Sequence, residues 1–64
     1  MKAKCIENKS NNSNFKLNKE YELSNTGIRT EWGNMMCHFE DWNKPKTFDT
    51  GSVFDFAMCK FKIL

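Results

Sequence analysis

Apolar and polar residues alternate at period two in several short windows, the pattern of strands that bury one face. In residues 1–7, Ala3 and Cys5 share one face while Lys2, Lys4 and Ile6 share the other, which predicts a first strand. Residues 8–14, NKSNNSN, carry no apolar side chain and are rich in turn formers, so they read as a surface loop. Phe15 and Leu17 then lead into a turn at Asn18 and Lys19. After it Tyr21 and Leu23 point inward, with Glu20 and Glu22 outward, as a second strand. Asn25, Thr26 and Gly27 form a hairpin-type connection. Ile28, Thr30 and Trp32 alternate with Arg29 and Glu31 in a third strand, broken by Gly33 and Asn34. Residues 35–42 predict a fourth strand, whose inward set is either Met35, Cys37 and Phe39 or the set containing Met36 and His38. Pro45 removes a ladder donor, so residues 43–46 are a connection. Residues 47–64 hold a short hairpin, a tight turn within 57–60 and a terminal strand over 61–64. No window sustains a helical period over ten residues, and no repeat is present. The chain reads as mostly β.

Size sharpens this picture. A chain of 64 residues forms a single domain, 1–64, and a domain this small buries only about 60% of the surface its unfolded form exposes. Dense aromatic packing is its available staple: six Phe, two Trp and one Tyr are present, and each ring buries roughly 150–250 Å². The expected core is Ala3, Cys5, Leu17, Tyr21, Leu23, Ile28, Phe39, Phe61 and Ile63. Formal net charge is only +2, and nine of the ten basic residues are Lys. That balance argues weakly for nucleic acid, whose readers favour the planar guanidinium of Arg. No apolar run follows Lys2, so neither a signal peptide nor a membrane span is expected. Three cysteines without close pairing agree with a reducing cytoplasm.

Three constellations carry possible chemistry. Phe48 to Ser52, FDTGS, resembles the active-site signature of aspartic proteases, which need two carboxylates sharing one proton. One copy of the motif supplies one carboxylate, and the thirteen residues after Gly51 are too few for the supporting strands. Asp49 is therefore expected in a turn. Cys5, Cys37, Cys59 and His38 form a legitimate zinc donor set in kind. They lack a Cys-x-x-Cys knuckle, and adjacent Cys37 and His38 diverge on a strand. No metal or cofactor is expected, the cysteines serve as small buried hydrophobes, and His38 is partly exposed. The third constellation is aromatic and basic: Trp42, Lys44, Lys46 and Phe48, with Trp32 beside them, are expected to form a partner-binding face. Rings with few rotamers give much contact area at little entropic cost.

Residues 4–8, KCIEN, and 15–23, FKLNKEYEL, resemble the opening of small SH3-like barrel proteins of low-GC Gram-positive bacteria and their phages. The usual pattern there is Lys-Cys-Ile-Asp-Asn, a loop, then Leu-Thr-x-Gly-Lys-x-Tyr-Glu-Val. Here Glu7, Asn18 and Leu23 replace the Asp, Gly and Val, each keeping the character of its position. Residues 59–64, CKFKIL, resemble the family's close, while residues 33–56 are longer than its short acidic hairpin. The resemblance implies a five-stranded antiparallel SH3-like barrel that works by binding. It brings no catalytic residues. The expected function is a non-enzymatic module from a phage or mobile element that binds and inhibits a bacterial host protein. The alternative is a small nucleic-acid-binding barrel.

Overall fold

The computed structural model describes residues 1–33 and 35–64, so the break expected at Gly33 and Asn34 falls partly outside the described residues. Among them lie six strands: β1 (Lys2–Asn8), β2 (Glu20–Glu22), β3 (Gly27–Arg29), β4 (Met36–His38), β5 (Val53–Phe56) and β6 (Cys59–Ile63). β1 pairs antiparallel with both β2 and β6, setting Ala3 beside Tyr21 on one side and Ile63 on the other. One sheet runs β2-β1-β6-β5 and a second pairs β3 with β4. A single bridge from Leu23 to Ile28 links the two, so the strands follow the order β5-β6-β1-β2-β3-β4.

The chain is all-β and antiparallel, in agreement with the alternation. The expected five strands and closed barrel differ from what forms. A sixth strand arises because Phe54 and Phe56 alternate with Val53 and Asp55, then fold back onto Cys59, Phe61 and Ile63. β4 and β5 do not pair, so the sheet stays open there among the described residues. Two local features shape the sheet. The β1–β6 register steps between Cys5 and Glu7, leaving Ile6 as a bulge residue that turns outward and bends the strand. Gly27 lets β3 approach β4: a Cβ there would sit 2.5 Å from the Cys37 carbonyl oxygen.

The core is built from phenylalanine. Phe15 is fully buried and meets Tyr21, Phe61 and Phe56 edge-on, with ring centroids 5.2, 5.0 and 6.4 Å away. Phe39 meets Phe54 and Phe56 at 5.9 and 5.2 Å, and Phe48 at 6.5 Å. All but the tilted Phe39–Phe48 pair are edge-to-face, and such pairs add about 0.5–1.5 kcal/mol each beyond the area they bury. All six Phe thus sit in the core or against it, while Trp32 and Trp42 stay outside, 61% and 84% exposed.

Leu17, expected in the core, is exposed. The Lys19 amide donates to the Lys16 carbonyl 3.2 Å away, so Leu17 lies on a turn and not on a strand, and Phe15 fills the interior instead. Asn18 takes φ 68°, the left-handed conformation its place in the pattern suggested. The third and fourth strands are shorter than the alternation implied. Gly33 donates to the Thr30 carbonyl at 3.0 Å, placing Glu31 and Trp32 in a turn. There Glu31 accepts from Lys19 Nζ at 2.6 Å and from the Tyr21 hydroxyl at 2.9 Å, and the Lys16 amide donates to that same hydroxyl at 2.6 Å.

Candidate partner-binding site

Ala57 and Met58 join β5 to β6 as a two-residue turn, closed by the pairing of Phe56 with Cys59. Both residues are left-handed, at φ 53° and 61°, the geometry that matches a hairpin's twist but is usually filled by Asn-Gly. With a Cβ at each position this conformation is strained. The β1–β2 loop braces it: the Lys9 amide donates to the Met58 carbonyl, and Asn12 Nδ2 to the Ala57 carbonyl, both at 3.1 Å. Asn8 orders that loop in turn, accepting from the Asn12 amide at 2.9 Å and donating to the carbonyls of Asn12 and Phe15 at 3.1 and 2.8 Å. A segment that reads as loose polar loop is therefore a set of side-chain-to-backbone bonds.

Beside the hairpin tip is a groove of about 420 Å³, walled by Trp42, Met58 and Ala57 and floored by Phe56 and Cys59. Its rim carries Glu7, Lys9 and Asp55. Trp42 projects from a turn at residues 40–44, where the Glu40 carbonyl accepts from Asn43 and Lys44, and the Glu40 amide donates to Asn43 Oδ1 at 2.7 Å. Pro45, buried, anchors the chain just beyond. Lys9 and Glu7 approach to 3.5 Å across exposed surface, an ion pair of small energetic worth. Asp55 faces Lys60 across the β5–β6 ladder. Burial pushes the Cys59 thiol up to about 11, with neighbouring Cys5 acting the same way, so at neutral pH the groove floor holds a neutral thiol. A neutral thiol behaves as a small apolar group, since the thiolate is the nucleophile.

Of the residues expected at the partner-binding face, Trp42 is in this groove and Lys44 and Lys46 are exposed on the segment that follows it. Phe48 is half-buried and packs on Phe39. Trp32 is exposed elsewhere, its Nε1 donating to Asn14 Oδ1 at 3.3 Å. Met58, Glu7 and Asp55 were not among the expected residues, because no local pattern connects a hairpin tip with positions on β1 and β5. The only available signal was an apolar Met at a turn lacking Asn or Gly. Asp49 lies in a turn, where the Ser52 amide donates to its carbonyl at 3.1 Å and Gly51 takes φ 91°. Cys37 is half-buried on β4 and His38 exposed. Among the described residues no three His, Cys, Asp or Glu side chains converge as a metal set, and no helix is long and apolar enough to cross a membrane. Comparison with protein-family models, with curated proteins and with solved structures gives no match.

Proposed function

We propose that this chain is a small non-enzymatic protein-binding module, the product of a phage or mobile element, that occupies and inhibits a bacterial host protein in the cytoplasm. The observation that carries the binding reading is Trp42, 84% exposed beside Met58, 65% exposed, on a braced hairpin tip. An indole left in water while every Phe is drawn inward is a large apolar surface with nothing from its own chain on it, the kind of residue that anchors interfaces. The phage and inhibitor parts rest on the resemblance of residues 4–8 and 15–23. The SH3-like part rests on that resemblance and on the strand order, with the barrel open between β4 and β5. The test is affinity capture from a bacterial lysate with the wild-type chain and Trp42→Ala side by side. A host protein retained by the first and lost by the second is the expected result. Equal retention by both would remove Trp42 from the binding surface.

One observation favours the nucleic-acid reading as second choice. Strand register sets Lys2, Lys4, Lys60 and Lys62 on the outward face of the larger sheet, with Lys4 directly opposite Lys62. Like charges placed opposite one another are unfavourable. The same face carries Glu20, Glu22 and Asp55, which would repel phosphate, and this ranks the reading below the first. Phosphate binding across six or more contacts would weaken by about 10³–10⁵ between 50 and 200 mM salt. Affinity for DNA or RNA that lacks such a slope would dismiss it.

A further inference from the structure

We infer that the free edge of β5 takes an extended segment of the partner protein as an added antiparallel strand, an assignment that rests on the protein-binding reading and specifies how contact is made. The hydrogen-bond phase of β5 is fixed at both ends. Phe56 and Cys59 close the hairpin as a bonded pair, and at the other end the Ile63 amide donates to the Ser52 carbonyl at 2.8 Å. Bonds alternate along an antiparallel pair, so Phe54 and Phe56 bond β6 while Val53 and Asp55 direct their N–H and C=O groups away from it. Nothing among the described residues meets those four groups. β4, at the other end of the strand order, keeps every Cα more than 8 Å from those of β5. Paired strands lie about 4.7–4.9 Å apart, so β4 does not cover this edge. Val53 and Asp55 are both exposed.

Donors and acceptors alternating along one line are met by one chemistry, another extended main chain. Such a segment exchanges two bonds with Val53 and two with Asp55. The edge also leads into the groove, because Asp55 and Phe56, the last residues of β5, line it together with Trp42 and Met58. An antiparallel segment laid along β5 has its N-terminal end there, where an apolar side chain fits. Charge makes no selection in the groove: Lys60 stands opposite both Glu7 and Asp55, and Lys9 lies 3.5 Å from Glu7. The β4 edge is a poorer receptor, with three residues and no part in the groove. A second copy of this chain is a poorer occupant. Two four-residue strands meeting edge to edge are too short to supply the roughly 1,200–2,000 Å² of a stable interface.

The experiment is a two-dimensional NMR titration of the isotope-labelled chain with a capped heptapeptide, Leu-Thr-Val-Thr-Val-Thr-Lys, and with the same peptide N-methylated at every Thr and Val. N-methylation keeps the side chains and removes the donors that pairing needs. In the free chain the amides of Val53 and Asp55 should exchange with deuterium at least about tenfold faster than those of Phe54 and Phe56. The plain peptide should slow that exchange and shift both amides, saturating on the order of 1 mM. It should also move the Trp42 indole N–H, identified by its loss in Trp42→Ala. The N-methylated peptide should bind at least about tenfold more weakly. Equal shifts from both peptides would overturn main-chain pairing and leave side-chain contact alone. Shifts at Met36 and His38 in place of Val53 and Asp55 would overturn the choice of β5. Protection of Val53 and Asp55 that rises with the chain's own concentration would overturn the choice of occupant and install a second copy. No response to either peptide would also overturn the proposal, and the lysate comparison of wild type with Trp42→Ala then judges the protein-binding reading independently. Because the decisive change lies in the peptide, the folding of a variant does not enter the result.

Discussion

Replacing Ala57→Asn and Met58→Gly together should stabilise the fold while weakening the site. Both residues sit in the left-handed region, at φ 53° and 61°. For residues with a Cβ that region costs roughly 1–2 kcal/mol each, whereas Asn tolerates it better and Gly adopts it freely. Gly offsets part of the gain, about 0.5–1 kcal/mol, through the extra freedom it gives the unfolded chain. The bonds that brace the turn end on the main-chain carbonyls of Ala57 and Met58, so the substitutions leave them in place. Met58 is 65% exposed and Ala57 is exposed, so little burial is lost. The net effect is a stabilisation of about 1 kcal/mol, which for a domain of this size raises Tm by about 4–8 °C. Thermal unfolding followed by circular dichroism measures this directly, and the urea midpoint checks it without heating. The same variant removes the Met58 side chain from the groove, so capture of a partner protein from lysate should fall. An unchanged or lower Tm would show that the turn is not strained, and the reasoning from its backbone angles would be refuted.

Trp42→Ala should leave stability within about 0.5 kcal/mol of wild type, the usual range for a solvated side chain; a melting point several degrees lower would place Trp42 in the core after all. Glu31 should shape the acid limb of stability. Bonds from Lys19 and Tyr21 hold its carboxyl below the usual range in the folded chain, so its contribution is present above about pH 4.3, the unfolded value, and is lost as pH falls through the folded one. Glu31→Gln should therefore flatten the Tm-versus-pH curve on the acid side, and an unchanged curve would refute the coupling. On the alkaline side burial raises Tyr21 to about 12, so stability falls as pH climbs from about 10, the unfolded value, towards that point. Tyr21→Phe should remove this alkaline loss, and an equal loss in the variant would assign it elsewhere. In thiol labelling with a disulfide reagent, half-buried Cys37 should react first, with buried Cys5 and Cys59 reacting only as the chain opens. Three equal rates in the native protein would contradict the burial assigned to them.

Alternation alone determined much of this fold. Ala3 and Cys5, Tyr21 and Leu23, and Phe61 and Ile63 all point inward as their period-two spacing requires, because successive strand residues face opposite sides whatever the strand is paired with. Local backbone chemistry was equally legible: Asn18 is left-handed, and the segment from Asp49 to Ser52 turns at Gly51. Alternation does not say which of two nearby apolar residues finds the interior. Phe15 and Leu17 are two apart and would share a strand face, yet a turn separates them, and the larger ring takes the space among Tyr21, Phe56 and Phe61. A tight turn within 57–60 was legible, but local pattern does not foresee that its residues, Ala57 and Met58, are left-handed and held by Lys9 and Asn12 from a loop more than forty positions away. The groove is the extreme case. Glu7 comes from β1 just past its bulge, Trp42 from the long β4–β5 connection and Met58 from the β5–β6 turn; the pairing of β6 with β1 brings Glu7 beside Met58, and the long connection carries Trp42 to them. Side-chain periodicity is a local property of the backbone and can be read from neighbours. Convergence depends on which strands pair, and that is decided by how the six phenylalanines share one small interior.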